Sequence, residues 1–139
     1  MKILAGFETA SGGSVLINGQ AHSFANSRDA EAQGIVLIHQ EFSLAEDLTI
    51  AQNLFLGHEK KRGWGQLLLD DEAMRDDARH ALAQVGLQAD VDTRVKELIV
   101  AEKQLVEIAR ALLRRARVLI MDEPTATLTP AETERLFGL

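Results

Sequence analysis

Residues Val118 to Thr125 read Val-Leu-Ile-Met-Asp-Glu-Pro-Thr, and few folds can satisfy that order. Four consecutive apolar residues without alternation predict a strand buried on both faces, as in a parallel sheet covered by helices. Such sheets bind ligands at the carboxyl ends of their strands, which is where Asp122 and Glu123 would emerge. Two adjacent carboxylates there suit a magnesium-bound nucleotide, the first near the metal and the second placed to take a proton from water. A strand that merely ends in solvated acids fits the same residues.

A second apolar run, Ile35-Val36-Leu37-Ile38, predicts another buried strand, delivering His39-Gln40-Glu41 to its carboxyl end. Polar residues after a strand are usually only a loop. Gln40 acquires meaning if it faces the same crevice as Asp122.

Local signals set the other elements. Ser14 to Gln20 reads as a short strand closed by Asn18-Gly19, a strong hairpin signal, with Ala21 to Phe24 returning. Ser27 to Gln33 predicts a short helix with Ser27 as N-cap and Gly34 past its end. Thr49-Ile50-Ala51-Gln52 fits a capping box heading a helix that reaches about Leu56 and stops at Gly57. His58 to Gly65 is basic and glycine-bearing, which predicts an exposed loop, either solvated or phosphate-binding. Met74, Ala78, Ala81, Leu82 and Val85 repeat at helical spacing after an Asp70 or Asp71 cap and end at Gly86. His80, on that helix, has no clustered partner and reads as structural. A further amphipathic helix runs from Val100 or Ala101 to Leu113, its buried stripe being Ala101, Leu105, Ile108, Ala109 and Leu112. Thr129-Pro130-Ala131-Glu132 combines an N-cap, a proline at the first helical position and a capping-box glutamate. Ile3 to Gly6 resembles the end of a helix that has no start signal.

Composition narrows the functional classes. The chain has 139 residues, 46% of them hydrophobic, which is an ordinary globular proportion for one folding unit. A net charge of -6 with no long block of lysine and arginine argues against a dedicated nucleic-acid surface. Absence of cysteine excludes disulfides and thiolate zinc sites. The apolar runs are far shorter than the roughly 20 residues that cross a bilayer, so a soluble, cytoplasmic chain is expected.

Taken together these segments resemble the ATP-binding subunits of ABC transporters, and specifically the first nucleotide-binding domain of bacterial sugar importers of the ribose and galactose type. Val118 to Thr125 is similar to that family's Walker B strand. Ile35 to Gln40, continuing to Gly57, resembles its Q-loop and the following helix. Leu98-Ile99-Val100-Ala101-Glu102-Lys103-Gln104 sits where the family carries its signature motif. The resemblance implies an α/β fold: a partial P-loop NTPase (ABC ATPase) domain with an early antiparallel β element and a helical subdomain. It spans residues 1–139, with 34–40 as the Q-loop strand, 49–113 as the helical and signature region and 117–125 as Walker B.

It also implies roles. Asp122 would help hold Mg2+, Glu123 would polarise the attacking water, and Gln40 would sense the metal and the γ-phosphate of ATP. Ile99, Val100, Ala101 and Glu102 would form a degenerate signature facing the nucleotide of a second nucleotide-binding domain. Implied partners are transmembrane permease subunits, that second domain and, indirectly, a periplasmic sugar-binding protein, with the assembly on the inner face of the plasma membrane.

Three departures qualify the likeness. Ile99 and Ala101 replace the signature's serine and a glycine, which puts the trans ATP site in question. Ala126-Thr127-Leu128-Thr129 lacks the aspartate that usually follows Walker B. No Gly-x-x-x-x-Gly-Lys-Ser/Thr phosphate loop occurs in the sequence. The resemblance places Met1 just downstream of that loop and the family's switch histidine beyond Leu139. The expectation is a parent protein that hydrolyses ATP to drive sugar uptake, and a chain that does not do so alone; the alternative is a truncated non-catalytic remnant that keeps a permease-contacting surface.

Overall fold

The structure is a computed structural model that describes residues 2–38, 42–62, 68–121 and 129–138. At its centre, strand β3 (Ile35–Ile38) pairs in parallel with β6 (Val118–Met121), Ile35 opposite Val118 and Ile38 opposite Met121. Gly34 sets this register: its carbonyl accepts from the amides of Arg117 at 2.7 Å and Val118 at 3.0 Å. A side chain at Gly34 would need a φ of +79° and would meet the Arg117 side chain at 3.0 Å, so the position favours glycine.

Strand alternation divides the core between two faces. Val36 and Ile38 join the large helical core, while Ile35 packs with Phe24, Ala30 and Ile120 on the other side. β3 is therefore covered on both faces, as its apolar run predicts. β6 departs from the expectation of full burial. Val118 is 51% exposed and only Ile120 is buried, because β3 is the one strand neighbour of β6 among the described residues.

On the Ile35 face lie the hairpin of β1 (Val15–Ile17) and β2 (Gln20–His22) and helix α1 (Ser27–Ala32). Asn18 and Gly19 both take positive φ, 50° and 80°, as a tight two-residue hairpin turn requires. The α1 cap is Asn26 rather than the expected Ser27: its Oδ1 accepts from the Asp29 amide at 3.1 Å. Asparagine and serine cap equally well, so local preference does not separate them.

Residues Lys2 to Phe7 have the hydrogen bonds of a helix C-terminus. The Phe7 amide donates to the Lys2 carbonyl, the Gly6 amide to the Ile3 carbonyl, and Gly6 has φ +72°. Ala5 is buried, whereas Ile3, Leu4 and Phe7 are exposed.

The other face is helical. Helix α2 (Ile50–Phe55) starts with the expected capping box between Thr49 and Gln52. α3 (Asp71–Val85) is capped by Asp70, buries the five apolar residues that its spacing predicts, and stops at Gly86 in the left-handed region. The stretch expected to be only a loop contains β4 (Lys61–Arg62), paired antiparallel with β5 (Leu68–Leu69), two strands too short to leave a periodic signal. α4 (Val100–Leu113) buries Leu105, Ile108 and Ala109 as expected. Ala101 and Leu112 are only half-buried, and Gln104, Val106, Glu107 and Ala111 are buried as well. The reason is that α4 packs against α2, α3 and β3 rather than along one seam. α5 (Pro130–Phe137) begins at the expected proline.

Two distant segments fasten this helical face. The amides of Ile50, Ala51, Val95 and Lys96 donate to the carbonyls of Thr93, Val91, Leu48 and Glu46. Lys96 also pairs with Asp47 at 2.9 Å, and its hydrogen bond holds that carboxyl below its ordinary range.

Candidate functional site

Parallel pairing makes the carboxyl ends of β3 and β6 level, with Ile38 directly opposite Met121. Gln40, Asp122 and Glu123, the residues expected to carry the chemistry, lie outside the described residues. What the structure describes is the frame on either side of them.

Downstream of Gln40, residues 42–45 are held by two buried polar side chains. Phe42 packs against the large core and Leu44 is buried in it. Between them, Ser43 donates its amide to Glu107 Oε1 at 2.9 Å and its hydroxyl to the same oxygen at 3.2 Å. The Arg110 guanidinium bonds the other oxygen of Glu107, the Ser43 hydroxyl and, at 3.4 Å, the Ser43 carbonyl. Asn53, fully buried, accepts from the Ala45 amide at 2.7 Å and donates to the carbonyls of Ala45 and Thr49. A buried amide must satisfy its oxygen and its nitrogen together, and Asn53 does so by folding the loop around itself. Sequence reading missed these residues as partners. Their only signal was polar residues at core-facing positions of amphipathic helices.

The second frame is the N-terminal end of α4. Ile99 and Val100 are 66% and 53% exposed, Ala101 is half-buried, and the Glu102 carboxylate accepts from the Ile99 amide at 3.0 Å. Only this half of a capping box exists, because isoleucine has no side-chain acceptor. A helix N-terminus can hold a phosphate through free amides and positive dipole charge. Here the Glu102 carboxylate takes the amide of Ile99, the residue that caps the helix, and no hydroxyl stands at that position.

The sequence profile of the ABC transporter family matches residues 1–126. The chain belongs to the ABC transporter family. It is 47% identical over 139 residues to the ribose import ATP-binding protein RbsA of Lactococcus lactis subsp. lactis (strain IL1403), covering 100% of this chain and 28% of that protein. It is 50% identical to the ribose import ATP-binding protein RbsA 1 of Burkholderia thailandensis, again over 100% of this chain and 27% of that protein. The chain thus spans little more than a quarter of the curated relatives it matches. Among solved structures, the fold is similar to the ATP-binding cassette MJ0796, seen as a post-hydrolysis dimer bound to ADP and Pi. The TM-score is 0.75 at 22% identity, covering 99% of this chain and 60% of that one. A nucleotide-free cassette from an ABC transporter matches at TM-score 0.76 and 24% identity, over 99% of this chain and 57% of that one. The α/β reading, a partial ABC cassette with a small antiparallel pair and a helical region, stands. Among the described residues, no helix of this ABC family member is long and apolar enough to cross a membrane.

Proposed function

We propose that the chain is part of the ATP-binding subunit of a bacterial carbohydrate importer, with ribose as the sugar carried by the whole system. The observation that carries this reading is similarity over all of this chain, at 47% identity, to 28% of a ribose import ATP-binding protein. The level ends of β3 and β6 support the same site, since the segments carrying Gln40 and Asp122-Glu123 leave the sheet at one edge.

Within that reading Asp122 would help hold the magnesium, Glu123 would polarise the attacking water, and Gln40 would sense the metal and the γ-phosphate. Bound MgATP supplies the transferable phosphoryl group and the metal's neutralising charge, and the protein's part is positioning. These 139 residues contain no Gly-x-x-x-x-Gly-Lys-Ser/Thr phosphate loop, so on this reading they do not themselves supply the amides and lysine that grip the phosphates. Permease subunits, a second nucleotide-binding domain and a periplasmic sugar-binding protein are the partners of the whole assembly, which sits on the inner face of the plasma membrane.

The test is a chimaera in which residues 1–139 replace the matching segment of the Lactococcus lactis ribose import protein. Uptake of labelled ribose that Glu123→Gln abolishes is the expected result. A chimaera that folds and binds ATP but supports no uptake overturns the proposal. Residues 1–139 alone should show no Glu123-dependent ATP turnover.

A further inference from the structure

Glu107 is the most deeply buried acid among the described residues, 4% exposed, and the proposed chemistry gives it no task. It lies in the middle of α4 rather than at an end, so the helix dipole does not explain it. Its nearest cation, Arg110, is one turn along the same helix, with a side chain 12% exposed. A pair serving helix stability alone would do so equally well on the exposed face, without the cost of burying two charges. What this placement adds is a third member, Ser43, which is itself exposed to solvent. Both Ser43 donors reach one carboxylate oxygen, and Arg110 spans the other oxygen, the Ser43 hydroxyl and the Ser43 carbonyl. No other described polar side chain bonds residues 42–44 to α4.

We propose that Glu107 and Arg110 are positioning residues that lock the chain leaving β3 to the middle of α4. The exit of β3 and the signature helix then move as one body. A shift at Gln40, three residues upstream of Ser43, would be passed through this joint to the Ile99 end of α4. That last consequence rests on the proposed nucleotide site. The joint itself does not, and it can be tested without nucleotide.

The experiment is amide hydrogen exchange on the 139-residue chain, read at Ser43 and at Ala81 and Leu82 of α3 as the reference. Glu107→Ala should speed exchange at Ser43 by about tenfold or more relative to that reference, the effect of losing a hydrogen bond to a charged acceptor. Glu107→Gln should recover part of the protection, because its amide oxygen can still accept from the Ser43 amide. Should Glu107→Ala fail to fold, Ser43→Ala and Glu107→Gln carry the test. Singly and together they should act less than additively, because both cut the same joint. A spectroscopic readout separates positioning from general stability: the Arg110 guanidinium should show hindered rotation by NMR, lost in Ser43→Ala while the fold persists. Equal acceleration at Ser43 and α3, strict additivity, or free guanidinium rotation in the unaltered chain would each overturn the joint. None of these outcomes depends on whether the chain ever binds ATP.

Discussion

At the scale of single residues, Ile99 is the position where sequence and structure conflict most. It caps α4 with no acceptor and holds an apolar side chain in water, 66% exposed. Ile99→Ser should raise stability by about 1 kcal/mol, the usual worth of an N-cap hydroxyl, measured as a higher urea midpoint at unchanged slope. No gain would mean that the Glu102 carboxylate already satisfies that end. Asn53 is the opposite case. Removing its side chain leaves the amide of half-buried Ala45 without its acceptor, so Asn53→Ala should cost about 1–3 kcal/mol in the same measurement. Ile99 was legible as a departure because a motif surrounded it. The tasks of Asn53, Glu107 and Ser43 were not legible, because a buried polar contact across many residues of sequence has no periodicity and no local composition.

At the scale of elements, the parts that local chemistry decides could be read directly. Asn18-Gly19, the Thr49 box, the Asp70 cap with its Gly86 stop, and Pro130 each fixed an end within a residue or two. Where two good caps stand side by side, at Asn26 and Ser27, local preference does not choose, and the helix uses Asn26. The Lys2–Phe7 motif shows how tightly one such choice is held. A Cβ on Gly6 would lie 2.2 Å from the Asn26 carbonyl oxygen, on a backbone with φ +72°. Gly6→Ala should therefore destabilise the chain by more than about 1 kcal/mol. Gly12→Ala, with nothing within 4 Å, should be close to neutral. Thermal unfolding of the two variants side by side decides it, and equal midpoints would remove Gly6 from the contact.

At the scale of the whole molecule, the burial expected of the Val118 strand is realised on β3 and only partly on β6. Sequence could specify a strand that wants neighbours, but not how many it has. Val118 and Leu16, with Ile3, Leu4 and Phe7, leave apolar surface in water, and an uncovered strand edge invites pairing between copies. The 139-residue chain should sediment as a concentration-dependent mixture, and Val118→Lys should shift it toward monomer. A monodisperse unaltered chain at high concentration would refute this.

The parallel pairing of Ile35 with Val118 also sets an order of assembly. Closing that pair encloses α2, α3 and α4 in one long loop, and the entropy of closure is offset only when those helices have already docked. The helices are near neighbours in sequence and can gather early, whereas the sheet is a late, long-range event. The end of the sheet where Ile38 faces Met121 should therefore be among the last parts of the molecule to form and the first to open, and a ligand bound there should slow hydrogen exchange of the β3 and β6 amides.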